Sequence, residues 1–338
     1  GGGGGGGGGQ GTSITLTNIP DYIADMSDKV MVCLASGYDT YVEVGGLGTI
    51  TSGSVTVELY TIDYRGSDDP EDMLGTSWTN DGRSYLIMYY WGPNYRFDAT
   101  NSLLVPLTGN PIEIDASNFV IDGPDGPATG HIKGGLSIGI PTDITVTGIY
   151  MEAFEEGPNG EDTYLINLDP SKISGGYLNE EFDIPLYANR VLSGAVSLRV
   201  LFYFSDETEW VLIFNSTETG LINLSNTGTT TVSSTITDSI PQTKIVTGYG
   251  TIDISSIPGS TNKFVQIYTA NWNYETRGDA PWTFRVPIDV TTANIRVYTF
   301  GLDDKLYNKA NVMTWNDEPT FNLGTITLTT SDLFPTSP

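Results

Sequence analysis

Three times along the chain an alternating apolar and polar stretch stops at Ile-Pro. The stretches are Ile14-Thr15-Leu16-Thr17-Asn18-Ile19-Pro20, Leu136-Ser137-Ile138-Gly139-Ile140-Pro141 and Ile252-Asp253-Ile254-Ser255-Ser256-Ile257-Pro258. Alternation places the apolar residues on one face of a strand. Proline then ends the ladder by removing a donor. After each opening the strands keep the same order. A second strand is predicted at 29–34, 146–154 and 263–268, a third at 55–59, 182–186 and 284–288, and a fourth at 85–89, 198–203 and 295–298. Closing strands are expected at 112–114 and 324–328. Pro185 and Pro287, in the third strands, point to an edge or a bulge.

A repeat of roughly 120 residues, each with about seven short strands between Gly, Asn, Asp and Pro turns, is the pattern of a β-sandwich. The predicted fold is therefore all-β: three tandem Ig-like or fibronectin-III-like antiparallel β-sandwich domains. Their ranges are 12–121, 131–233 and 248–330, with linkers at 122–130 and 234–247, a polyglycine tether at 1–11 and a tail at 331–338. No long 3.6-residue periodicity is present, so helices are limited to a turn or two.

The charge balance narrows the partners. Forty-one acidic residues face 15 basic ones, for a net charge of −26. Such a chain repels phosphate backbones, which sets nucleic acid aside. Anionic lipid headgroups are disfavoured for the same reason. The single cysteine, Cys33, lies in an apolar run and reads as a small buried hydrophobe. The single histidine, His131, stands at the mouth of the second repeat and reads as solvent-facing. Two such residues cannot make a tetrahedral zinc site. A Walker loop, a dinucleotide fingerprint and a G-x-S-x-G elbow are all missing. No residue set reads as catalytic, and the chain is taken as a non-enzyme.

Two kinds of binding residue stand out. Acidic clusters between strands suit calcium, a hard ion that takes carboxylate oxygens: Asp68, Asp69 and Asp72, Glu155 and Glu156 with Glu161 and Asp162, and Asp303 with Asp304. No cofactor is expected beyond such structural calcium. Aromatic clusters in or near likely turns suit stacking against sugars: Tyr90 and Trp91, and Trp272 with Tyr274 and Trp282. Trp272 and Tyr274, flanked by Asn271, Asn273 and Glu275, are expected to be exposed.

With Gly1 to Gly9 and the three Ile-Pro openings in view, the chain resembles bacterial surface lipoproteins of the spirochaetal kind, which carry a Gly- or Ser-rich tether and tandem β-sandwich modules. Nine leading glycines fit either an artificial extension or the stub of a processed lipoprotein. As a flexible coil they would reach roughly 15–18 Å. The resemblance implies a place at the cell envelope or surface, outside the cytoplasm, and adhesive or structural work. It implies membrane attachment only through an N-terminal lipid anchor, whose cysteine is absent here. The expected partner is a protein or glycan at the cell surface. The alternative is an array of carbohydrate-binding modules, and behind it a glycan-acting hydrolase.

Overall fold

The computed structural model describes residues 11–38, 42–62, 70–157 and 162–334, the side chains of residues 72, 162–164 and 303 apart. Gly1 to Gly9, Asp68, Asp69 and Glu161 lie outside the described residues.

In the first third of the chain the principal strands are β1 (Ser13–Thr17), β2 (Val30–Ala35), β3 (Val44–Gly48), β4 (Val55–Glu58), β5 (Ser84–Trp91), β6 (Phe97–Thr100) and β7 (Ile112–Asp115). They form two sheets, β4-β1-β7 and β3-β2-β5-β6. Short strands at Tyr60–Ile62, Leu74–Ser77 and Val120–Asp122 widen the second sheet. Ile14 and Leu16 from one sheet meet Val30, Val32, Tyr89 and Trp91 from the other in a single buried core.

The middle third supplies β8 (Gly130–Gly139), β9 (Val146–Glu155), β10 (Asp162–Leu168), β11 (Tyr177–Leu186), β12 (Val196–Phe204), β13 (Glu209–Phe214), β14 (Gly228–Thr231) and β15 (Ile236–Ser239). The last third supplies β16 (Thr243–Asp253), β17 (Phe264–Tyr268), β18 (Asn273–Arg277), β19 (Trp282–Pro287), β20 (Ala293–Phe300), β21 (Leu306–Trp315) and β22 (Thr320–Thr327). Here the sheets are β11-β8 with β14 and β15, β10-β9-β12-β13, β19-β16-β22, and β18-β17-β20-β21.

The repeat seen in the sequence recurs in the pairing. Each opening strand (β1, β8, β16) lies between an antiparallel partner and a parallel one. Ile14 pairs with Val57 and Ile112, Ile132 with Ile184 and Thr230, and Ile252 with Ile326 in the parallel direction. The architecture is the two-layer sandwich expected, but the order differs from the immunoglobulin one, where the first strand pairs with the second. Here the first strand joins the fourth and the last, and the second strand opens the other sheet. Pro287 ends β19, an edge strand, where a missing donor costs no ladder bond. β15 and the start of β16 fall within the 234–247 stretch expected to be a linker. In keeping with that, one apolar cluster runs unbroken from Ile132 to Leu328.

Side-chain bonds join the successive sheet pairs. From the first, the Arg96 guanidinium donates to Glu152 on β9 at 2.6 Å, and Asn189 of the second donates to the Gly123 carbonyl at 2.9 Å. From the third, Arg285 on β19 reaches the turn after β12, bonding Asp206 and Thr208 and lying 4.7 Å over the Phe204 ring. Arg285 is 8% exposed. Burial pushes the Asp206 carboxyl up, but the Thr208 hydroxyl and amide and the Arg285 guanidinium outweigh it and hold the group below its ordinary value. A depressed carboxyl contributes stability that is whole above the unfolded value and is lost as pH falls through the folded one. The joint should therefore hold at pH 5 and loosen only below about pH 4. Small-angle scattering across that range should show an acid step that Asp206→Asn removes. An identical step in the variant would assign it elsewhere.

Candidate functional site

Between the second and third sandwiches two edge strands, β13 and β18, border a cleft of about 690 Å³. Its walls include Tyr203, Glu209, Trp272, Glu275 and Arg277. The alternation Asn273-Tyr274-Glu275-Thr276-Arg277 makes β18 a strand with Tyr274 and Thr276 turned inward. Tyr274 is 9% exposed, and its hydroxyl accepts a hydrogen bond from the Glu209 amide at 3.1 Å, which ties the cleft walls together. Burial is the main cause that pushes the Tyr274 phenol up to about 12. Thr276 Oγ1 is buried at the wall with no hydrogen-bond partner.

The outer face of the same sheet continues the cleft. Register places Gln266 between Glu275 and Arg296, and Phe264 between Arg277 and Tyr298. Phe264 and Tyr298 stack with centroids 4.9 Å apart at 9°. Arg277 lies 5.6 Å over Phe264, and Arg296 lies 4.8 Å over Tyr298. A second depression of about 240 Å³, bordered by Gln266, Tyr268, Arg296 and Asn308, shares Asn273 with the first. Glu275, at the seam, is raised above its ordinary value, chiefly by desolvation, with Arg277 and Arg296 pulling the other way.

This geometry sorts the aromatic residues singled out in the sequence. Trp272 is half-buried at the cleft wall, and Tyr274 joins it there, but with its ring turned into the core rather than exposed as expected. The reason is the inward half of an edge-strand alternation, which the flanking Asn and Glu disguised. Trp282 is 2% exposed, on β19, and its indole N–H donates to the Gly278 carbonyl at 3.0 Å. Trp91 is fully buried in the first core, 5.9 Å from Phe97. Neither Trp282 nor Trp91 offers a ring face for stacking. Tyr90 is half-buried beside a separate depression on the first sandwich.

The acidic candidates that are described do not converge. Among the described residues no three His, Cys, Asp or Glu side chains gather as a metal-holding group. Asp304 is exposed in a single turn. The side chains of Asp72, Asp162 and Asp303 lie outside the described residues, as do Asp68 and Asp69 entirely. Glu155 and Glu156 are engaged by protein donors: Ser193, and Ser197 with the Ser216 amide. His131 lies on β8, half-exposed, with Nδ1 2.7 Å from Asp183. Cys33 is buried, and burial pushes its thiol up, which removes it as a nucleophile.

Residues that sequence reasoning passed over are Arg277, Arg296, Gln266 and Asn308. A signal existed for the arginines: cations are scarce in this chain, and two of them fall on either side of an aromatic-rich strand pair.

No family model matches the chain, and no curated protein matches it. Solved structures similar to it include a candidate adhesin from Bacteroides ovatus, 9% identical over 69% of this chain and 94% of that one, with a TM-score of 0.21. A streptococcal ancillary pilin is 12% identical over 94% and 98% of the two chains, TM-score 0.17. The major pilin subunit of Bacillus cereus is 11% identical over 94% and 99%, TM-score 0.16. Likeness at this level assigns the chain neither a family nor an activity. Among the described residues no helix is long and apolar enough to cross a membrane.

Proposed function

We propose that the chain is a non-enzymatic protein of the cell surface, adhesive or structural, whose sandwiches act as spacer and display modules. The observation that carries this reading is the pair of fastened joints. Glu152 is 1% exposed beneath Arg96 of the preceding sandwich, and Arg285 is 8% exposed against the hairpin of the preceding one. Bonds of this kind hold successive modules in fixed relative orientation, which a spacer needs.

On this reading the modules correspond to 12–121, 131–233 and 248–330, and the leading glycines serve as a tether, with a lipid anchor as its natural attachment. A protease added to intact cells that make the chain should cleave it, while a cytoplasmic marker survives. A pool that resists until lysis would end the proposal.

A further inference from the structure

Seven arginines are described, and five of them hold ion pairs: Arg83, Arg96, Arg190, Arg199 and Arg285. The remaining two, Arg277 and Arg296, share one face of the β18-β17-β20-β21 sheet. In a chain with 41 acidic and 15 basic residues, carboxylates to neutralise them are plentiful. Glu275 acts on both through its charge, yet among the described residues no carboxylate is bonded to either guanidinium, and that requires a reason. Arg296 makes the case sharper, because its Nε is buried with no hydrogen-bond partner. A buried donor left unmet carries a desolvation cost that a ligand oxygen would remove. Stacking on Phe264 and Tyr298 also orders both side chains before anything binds, so less freedom is lost on binding.

The rest of the face says what carries the anion. Gln266, Asn273 and Asn308 present amides, which both donate and accept, as hydroxyl groups require. Trp272 and Tyr268 supply ring surface at the two depressions. The arginine strands are about 10 Å apart across the sheet, and the two positions are offset by about 7 Å along it. A net charge of −26 repels a dense polyanion, so the anionic group must be sparse and borne on a neutral, hydroxylated body.

The geometry points to this sheet face, with the adjoining cleft, as a binding site for a carboxylate-bearing sugar in an oligosaccharide. Arg296 takes the carboxylate, Arg277 steers or doubles it, and the amides read the hydroxyls. The inference rests on the proposed display role, since such a site serves a module that faces the exterior.

The test uses the full chain and titration calorimetry. The probes are glucuronate- and sialate-terminated oligosaccharides, the same oligosaccharides without the acid, and a hexaglutamate peptide. The acidic sugars should bind about 10- to 100-fold more tightly than their neutral forms, the range for a charge-assisted hydrogen-bonded pair. Arg296→Gln and Arg277→Gln should each reduce that advantage with an unchanged melting temperature. Arg296→Lys, which keeps the charge and loses the fork, should restore only part of it. Equal affinity for acidic and neutral sugars, undiminished binding in both glutamine variants, preference for the peptide, or no binding at all would overturn the inference. Should Arg296→Gln fail to fold, the exposed Arg277→Gln decides. Surface proteolysis reads the display proposal separately: sugar silence with surface cleavage removes the ligand and leaves the module.

Discussion

Trp282→Ala should lower the unfolding free energy by about 3–5 kcal/mol, the range for removing a large aromatic from a packed core. The indole is 2% exposed among the inward residues of β16, β19 and β20, and its N–H is satisfied by the Gly278 carbonyl. Truncation loses the apolar transfer energy and leaves a cavity, and the Gly278 carbonyl must find water. Calorimetry should show the transition that reports this core falling by roughly 12–40 °C, given about 4–8 °C per kcal/mol for a domain of 60–100 residues. Trp272→Ala, at the half-buried cleft wall, is the control and should cost far less. The two residues lie ten apart in the sequence, yet one should move stability and the other ligand retention. A Trp282→Ala chain that melts like the parent would show that the indole is not packed in that core.

That contrast marks where the sequence was legible. The opening, second, third, fourth and closing strands named from periodicity correspond to β1, β2, β4, β5 and β7 in the first sandwich and recur in the third. They could be read because each buries one face, and burial imposes the period. Two of the remaining strands show what hides a strand from periodicity. β3, Val44-Gly45-Gly46-Leu47-Gly48, has almost no side chains to alternate. It needs glycine because a Cβ at Gly46 would collide with the Glu58 carbonyl where strands cross closely. β18 is an edge strand whose outward residues are Asn273, Glu275 and Arg277, so it reads as a polar loop with aromatics in it. That polar outward half is what makes Tyr274 read as exposed.

The candidate site was less legible still. Arg277 and Arg296 are 19 positions apart, and only the pairing of β18, β17 and β20 brings them to one face. No local pattern encodes that, among the described residues, neither guanidinium is bonded to a carboxylate while Glu275 acts on both by its charge, since that depends on where every carboxylate goes. The joints are invisible for a related reason. Arg285 occupies a position in β19 that alternation turns outward with Thr283, and nothing nearby in sequence announces Asp206 and Thr208 as its partners.

The first joint should yield the other large effect. Glu152 projects from the outer face of β9, where it would meet water if the second sandwich stood alone. Instead it is 1% exposed, held by Arg199 from β12 in its own sheet and by Arg96 from the first sandwich. Glu152→Ala leaves two guanidiniums facing each other across the joint. Removing one member of a buried charge cluster costs about 3–5 kcal/mol when the remaining charge stays buried. Here the side chains of Arg96 and Arg199 keep 34% and 28% of their exposure and can hydrate on release, which places the expected loss near the lower end, about 3 kcal/mol. Glu152→Gln keeps the shape but not the charge and should recover part of it. A double-mutant cycle in denaturant separates the joint from the sheet. Coupling between Glu152→Ala and Arg96→Ala reports the bond across the joint, and coupling with Arg199→Ala the one within the sheet. Scattering should show Arg96→Ala broadening the range of orientations between the first two sandwiches while the second remains folded. Additive effects of Glu152→Ala and Arg96→Ala would mean that the charge does not fasten the modules, and the rigid-spacer reading would lose its first joint.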